Sequence, residues 1–401
     1  MGRVAQVSPT RVWRSRLLGG RAGARSAAIA IATLTVPLLG GTANRLGAQA
    51  LPLAEIHAGD DHTDAIVASR ALIREIMEAE GVPGASVAVG VGGELVWSEG
   101  FGWASLEHQV PVTTLTKFRV GSVSKSMTAA GLGLLVERGR LDLDLPVQSY
   151  VPDFPEKRWP VTTRQLGGHL AGVRHYGDLG EMLSDHRYAT VTAGLEIFAE
   201  DPLLFEPGTD YSYSSYGWNL ISAVMEGASG REFLAFMRDD VFEPLGLRHT
   251  VPDHNDSIVV NRTEFYEHDG NGSVVNAPHV DNSYKWAGGG FLSTPEDLVR
   301  FGQAHLGPGF LKAETLELLH TSQQLSSGAP TNYGIGWRSG TQEDGDATVA
   351  HSGGSVGGTT LLLMVPGHDL VVAGVVNMSG PAGAIVRQVA EAFEAAIEAG
   401  R

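Results

Sequence analysis

Ser122 and Lys125 stand three residues apart in Phe118-Arg119-Val120-Gly121-Ser122-Val123-Ser124-Lys125-Ser126, where a run with helical apolar spacing begins. Residues three apart on a helix share a face one turn from each other, so the amine can reach the hydroxyl. A serine becomes a nucleophile when a base takes its proton, and a lysine can be that base only if burial or another cation lowers its pKa. The free amides and partial positive charge of a helix N-terminus would steady the anion that forms. The pair predicts acyl transfer through an ester on Ser122. By itself the spacing is common on solvated helices, so its meaning depends on what else the chain supplies.

Two other segments supply more. Phe205-Glu206-Pro207-Gly208 leads into Tyr211-Ser212-Tyr213-Ser214-Ser215, and a late strand ends in His351-Ser352-Gly353-Gly354. A bland reading stands beside each: a core tyrosine at 213 with a satisfied hydroxyl, and a strand-end histidine at 351 with no chemical role. A rival nucleophile lies in Gly353-Gly354-Ser355-Val356-Gly357, which matches the Gly-x-Ser-x-Gly elbow. That elbow needs a helix after it and an Asp and then a His later in the chain. Here 359–365 reads as a strand, and His368 precedes Asp369. The chain has no His-Glu-x-x-His, and Asp269-Gly270-Asn271-Gly272 has the wrong spacing for a calcium loop and reads as a hairpin turn. Catalysis without metal or organic cofactor is expected.

These residues must be held by a scaffold. A helix is expected over 64–79, where Ile66, Ser69, Ile73 and Ile76 recur at three- and four-residue steps. Strands follow at 85–91 and 94–102 around the Gly92-Gly93 turn. The nucleophile helix covers 122–137, with Met127, Ala130, Leu134 and Leu135 as its stripe. From about 141 to 280, helical segments mix with loops rich in Pro, Gly and Asp, which reads as an inserted, mainly helical lobe. Thr294 as N-cap, Pro295 at the first helical position and the acids Glu296 and Asp297 open a helix over 294–305. Strand-like runs at 332–337, 348–352, 359–365 and 370–376 precede a closing helix over 382–399. Strands at both ends of a helical middle imply an α+β fold, an antiparallel sheet flanked by helices with a second lobe laid against it.

The bulk properties narrow the partners. Of 401 residues 43% are hydrophobic and 18% charged, enough to bury a substantial core. The formal charge of −16 includes seven Arg and no Asp, Glu or Lys within residues 1–50. Taking those seven from the 29 basic residues leaves 22 against 45 acidic, a body at −23 that would repel phosphate backbones and anionic lipid. Small-molecule or peptide substrates fit better than nucleic acid. The absence of cysteine excludes disulfides and a thiol nucleophile. Arg11, Arg14, Arg16, Arg21 and Arg25 precede an apolar run over 27–39 and then Ala48-Gln49-Ala50. That order predicts a secretory signal cut after Ala50, with an organelle transit peptide as the alternative, and no stable membrane span after its removal. Residues 51–63, with His57, Asp60, Asp61 and His62, read as a solvated linker rather than a metal site. The folded domain should cover 64–399.

In order and spacing, Ser122-x-x-Lys125, Tyr213-x-Ser215 and His351-x-Gly353 resemble the three motifs of the serine beta-lactamase, penicillin-binding protein and class C esterase superfamily. Its second motif is Tyr-x-Asn and its third Lys-Thr-Gly or His-x-Gly. The likeness covers nearly everything after residue 80. In Gly81-Val82-Pro83-Gly84-Ala85, Leu141-Asp142-Leu143-Asp144, Phe154-Pro155-Glu156-Lys157, His169-Leu170-Ala171-Gly172-Val173-Arg174-His175-Tyr176 and the stretch 284–294 from Tyr284-Lys285-Trp286 to Ser293-Thr294, the chain is similar to the mitochondrial serine beta-lactamase-like branch of animals.

The resemblance implies a beta-lactamase/transpeptidase-like fold. It gives Ser122 as the acylated residue, Lys125 as its proton acceptor and Tyr213 as the relay to the leaving group. It also gives the Ser122 and Gly354 amides as oxyanion hole, and His351 as a hydrogen bond or pH-dependent charge near the substrate. Arg174, His175 and Tyr176 either line the cleft edge or pack a loop. The family's Asn position is Ser215, whose hydroxyl cannot both donate and accept at a carboxamide's reach. With His351 in place of Lys, this favours a peptidase or esterase over a beta-lactamase or D-alanyl-D-alanine carboxypeptidase. The animal branch implies a possible homo-oligomer or filament. A filament-forming scaffold with little turnover is the reading from another class, and intact Ser122, Lys125 and Tyr213 argue against it.

Overall fold

The computed structural model describes residues 57–58, 62–342 and 345–400. The expected signal over 1–50, and most of the linker with Asp60 and Asp61, lie outside the described residues. Among the described residues no helix is long and apolar enough to cross a membrane.

The first described elements are β1 (His57–Ala58), α1 (Thr63–Glu80), β2 (Gly84–Val91), β3 (Glu94–Ser105), β4 (Val110–Pro111), β5 (Phe118–Arg119) and α2 (Val123–Glu137). The middle carries α3 (Thr163–Gly167), α4 (Leu179–Met182), α5 (Ser215–Ser229), α6 (Phe233–Phe236), β6 (Val251–Pro252), β7 (Tyr266–His268) and β8 (Val274–Asn276). The chain closes with α7 (Trp286–Gly289), β9 (Phe291–Ser293), α8 (Pro295–Leu306), α9 (Ala313–His320), β10 (Arg338–Thr341), β11 (Ala347–Ser355), β12 (Gly358–Val365), β13 (Leu370–Val376) and α10 (Ala382–Gly400).

The main sheet runs β1-β3-β2-β13-β12-β11-β10, every neighbour antiparallel, with β4 beside β3. All seven residues of β13 are buried, because this strand is covered on both faces. One face packs against α1 and α10, where Trp97 stacks on Phe393 and Ile66, Ile73 and Val386 complete the layer. The other face meets α8 and α2. Every residue of α2 from Val123 to Leu135 is buried, the polar Ser124, Lys125, Ser126 and Thr128 included, because the helix lies at the domain centre. The α+β architecture expected from the sequence is present, with the helical lobe on the α2 side.

A second, three-stranded sheet of order β5-β9-β6 sets the nucleophile in place. Phe118 and Arg119 pair with Ser293 and Leu292, so the chain enters α2 from a fixed direction, reaching its N-cap Ser122 three residues later. Arg119 anchors that entry: its Nε donates to Asp253 Oδ2 at 2.7 Å and its guanidinium to the Val356 carbonyl at 2.8 Å. Asp253, with its side chain fully buried, also accepts from Arg262 and from Asn282 Nδ2 at 2.7 Å.

Three local readings meet the structure differently. Residues 332–337 are not a strand: Asn332 and Gly336 take positive φ, and Ser126 Oγ donates to the Gly336 carbonyl at 2.6 Å as the segment threads beneath α2. The strand begins at Arg338 instead. Asp269-Gly270-Asn271-Gly272 is the turn of the β7-β8 hairpin. Ser355 is followed by a two-residue turn and β12 rather than a helix, so no nucleophile elbow forms there.

Asp253→Ala leaves Arg119 buried without its partner, and breaking such a pair costs about 3–5 kcal/mol. Urea or guanidinium unfolding is expected to show a loss of that size, against less than about 1 kcal/mol for the exposed Asp144→Ala, whose partner is Arg164.

Candidate active site

Ser122 occupies the N-cap position of α2, yet its side chain makes no capping hydrogen bond. The amides of Val123, Ser124 and Lys125 are each taken by the carbonyl three residues back, which frees the hydroxyl. The Ser122 amide itself has no acceptor among the described residues. Lys125 Nζ lies 3.0 Å from Ser122 Oγ, 3.1 Å from Ser215 Oγ and 2.6 Å from the Gly288 carbonyl oxygen. The lysine is fully buried, and burial, reinforced by the Lys285 charge, pushes its pKa well below the ordinary value.

The segment 211–215 reaches this point in extended form and is held there by two histidines. His169 Nδ1 accepts the Ser214 amide and His175 Nδ1 accepts the Ser215 amide, both at 3.1 Å. An acceptor nitrogen must be unprotonated, and burial with nearby cations lowers both rings, His175 to about 4 and His169 well below its ordinary value. Ser214 caps α5 by accepting from Gly217, and its hydroxyl donates to the Arg174 carbonyl. Tyr213 is thereby presented to the nucleophile, its phenol interacting with the Ser122 hydroxyl and its ring 4.9 Å from Lys125 Nζ. Burial raises the phenol's pKa, so it stays protonated.

The opposite wall is the end of β11. β10 pairs only with residues 347–350, leaving the edge over 351–355 uncovered. The ladder with β12 closes at Ser355 and Gly358, and the alternation of antiparallel pairs turns the Gly354 amide away from β12, toward the cleft. Close approach demands glycine: a Cβ on Gly353 would lie 1.9 Å from the Val120 carbonyl oxygen, and one on Gly121 2.6 Å from that of Gly354.

Ser122, Tyr213, Ser215, Gly354, His175 and Tyr176 line one cleft of about 330 Å³, with Lys125 directly behind it. Arg174 is not among its lining: it pairs with Glu181 and Asp201, fixing the loop that carries His175. His351 also lies off the cleft. Its Nδ1 donates to the Ser352 carbonyl and its Nε2 accepts from Tyr333 Oη at 2.7 Å, while burial lowers its pKa to about 3. A neutral ring with both nitrogens engaged differs from the pH-dependent charge that its motif position suggests. Sequence reasoning passed over His169 and Lys285, although both sit in segments that carry the family likeness. Lys285 lines the cleft at the base of α7. Ser355 lines it too, its hydroxyl buried without a partner among the described residues.

A serine at a helix N-terminus, a buried lysine one turn on, a protonated phenol and a glycine strand edge form the arrangement expected of serine hydrolases of the penicillin-recognising type. The family model described as Beta-lactamase matches residues 69–396, and the chain belongs to this family. The human mitochondrial serine beta-lactamase-like protein LACTB is 33% identical, over 80% of this chain and 76% of its own length. The octameric penicillin-binding protein homologue from Pyrococcus abyssi superposes with a TM-score of 0.71 at 26% identity, covering 82% of this chain and 77% of that one. A D-stereospecific amidohydrolase from Streptomyces superposes at 0.68 and 26%, covering 82% and 98%.

Labelling of Ser122 by a fluorophosphonate is expected to accelerate with pH along the titration of Lys125, since only the unprotonated amine can take a proton. The midpoint should lie well below 10.5, the ordinary lysine value. Lys125→Arg, which cannot deprotonate, should slow labelling at least about 100-fold. Intact-mass kinetics from pH 5 to 10 measure both.

Proposed function

We propose that the protein is a peptidase or esterase that cleaves peptide or small ester and amide bonds through an acyl-enzyme on Ser122. The observation that carries this reading is the set of partners of Lys125. A neutral amine has two N–H donors and one lone pair. Gly288 offers only a carbonyl acceptor, and the Ser215 hydroxyl can accept the second N–H. The lone pair is left facing the Ser122 hydroxyl 3.0 Å away. Ser122 Oγ gives its proton to Lys125 and bonds to the substrate carbonyl carbon, whose oxygen takes up the negative charge. The amides of Ser122 and Gly354 receive that oxyanion. Tyr213, protonated and beside Ser122, passes a proton to the departing amine or alkoxide and is replenished from the lysine. Water then attacks the ester by the same path, and the acid and the free serine result. Ser215 supports the preference for peptides and esters over beta-lactams, because its hydroxyl serves Lys125 rather than reaching out as a carboxamide would.

The remaining parts of the reading concern assembly and location. A homo-oligomer is supported by the octameric Pyrococcus abyssi relative. Residues 1–50 would act as a leader, for export to the periplasm or exterior, or for delivery to an organelle. The second destination is supported by the animal relatives, whose names place them in mitochondria.

Intact-mass analysis with a fluorophosphonate and with a fluorescent penicillin, on wild type and Ser122→Ala, tests the chemistry. One adduct from the fluorophosphonate, absent in Ser122→Ala, and none from the penicillin is expected. Stable or turned-over penicillin would shift the reading to a beta-lactamase or D-alanyl-D-alanine carboxypeptidase. Labelling by neither would leave a scaffold with little turnover.

A further inference from the structure

We propose that Asp346, His368 and Glu394 form a structural zinc site, at the end of the main sheet remote from the cleft and independent of the acyl-enzyme reading. Three distant segments meet there. Asp346 immediately precedes β11, His368 lies in the short turn between β12 and β13, and Glu394 belongs to α10. One ligand-type atom from each, a carboxylate oxygen or an imidazole nitrogen, lies within 4.8 Å of the other two. His368 is 7% exposed and Glu394 8%. The Asp346 side chain, 37% exposed, leaves a path by which an ion can enter.

The imidazole sets this cluster apart from an acidic patch. Its Nε2 lies 2.6 Å from Asp346 Oδ2 and 3.9 Å from an oxygen of Glu398, which stands one helical turn beyond Glu394 on the same face of α10. Its Nδ1 is buried and has no hydrogen-bond partner among the described residues. A protonated ring would hold a buried N–H without an acceptor, so the ion pair with Asp346 satisfies only one side of it. Three carboxylates gather around this one ring, and like charges at i and i+4 on a helix repel. A divalent cation among them relieves that repulsion and takes the Nε2 lone pair. Gln342 Nε2 donates to Glu394 Oε1 at 2.9 Å, the kind of outer contact that orients a metal-binding carboxylate. Zinc bonds of about 2.0–2.2 Å put tetrahedral ligands roughly 3.3–3.6 Å apart, so side-chain shifts of about 1 Å complete the set, with Glu398 or water in fourth place. An imidazole ligand favours zinc over magnesium or calcium, which take oxygen. Gly354 lies eight residues along the strand from Asp346, about 26 Å at roughly 3.3 Å per residue, so the ion ties α10 to the sheet and takes no part at Ser122.

The full chain, stripped with a chelator, is titrated with zinc chloride against a chromogenic zinc indicator, and X-ray absorption on the loaded protein counts the imidazoles around the metal. One zinc per chain with a single imidazole is expected, together with a rise in melting temperature that magnesium or calcium chloride at the same concentration does not produce. His368→Asn and Glu394→Gln should each weaken zinc binding at least about tenfold. Labelling of Ser122 by the fluorophosphonate should run at the same rate with and without zinc. Absence of stoichiometric zinc, two or more imidazoles per metal, undiminished binding in His368→Asn, or an equal response to magnesium overturns the inference and leaves the trio as an ion-paired clamp. Zinc-dependent labelling of Ser122 would overturn the structural role. If the variants do not fold, the imidazole count on wild type decides.

Discussion

A lysine amine buried with no carboxylate to pair it is the constraint on which the site depends. Lys125 sits inside a helix buried on every side, and its neighbours offer acceptors but no carboxylate among its hydrogen-bond partners. Burial of a charge without a counter-ion is expensive, so burial favours the neutral amine, the form that the proposed base role requires. Each wall of the cleft contributes to that arrangement: α7 supplies the Gly288 carbonyl, the start of α5 supplies Ser215, and α2 supplies the nucleophile itself. The glycines at 121 and 353 let strand and helix approach closely.

The segment between α3 and α4 shows how a neutral histidine can serve structure and chemistry together. His169 and His175 accept successive backbone amides, and this fixes the extended run that presents Tyr213. Either ring, if protonated, would point a donor at a donor. The third-motif histidine is neutral for the same reason of burial. There the strand backbone faces the cleft, and the imidazole ties β11 to Tyr333.

How far the sequence could be read follows from which contacts are local. The Ser122–Lys125 relation is one helical turn, so spacing alone suffices. The strands β2, β12 and β13 announce themselves by largely apolar runs, and β3 by the Gly92-Gly93 turn that precedes it. Tyr213 and Gly354 were legible only through order and spacing across three motifs, because they meet Ser122 from distant parts of the chain. His169 and Lys285 carry no local signature, and His169 acts through an amide 45 residues away. The run 332–337 has strand-like composition, but its path is set by contact with α2, and a tertiary hydrogen bond from Ser126 outweighs local preference.

The anchor that fixes the entry to α2 joins Arg119 to Asp253, 134 positions later, and to the carbonyl of Val356 beyond it. A ribosome releases the nucleophile and its base early, but the walls that desolvate the lysine emerge with Gly288 and the oxyanion strand with Gly354. The nascent chain is therefore chemically silent through most of its synthesis. On the proposed mechanism, competence requires the last strands to close the sheet, so a serine activated this way is not displayed to surrounding peptides before the fold can restrict what reaches it.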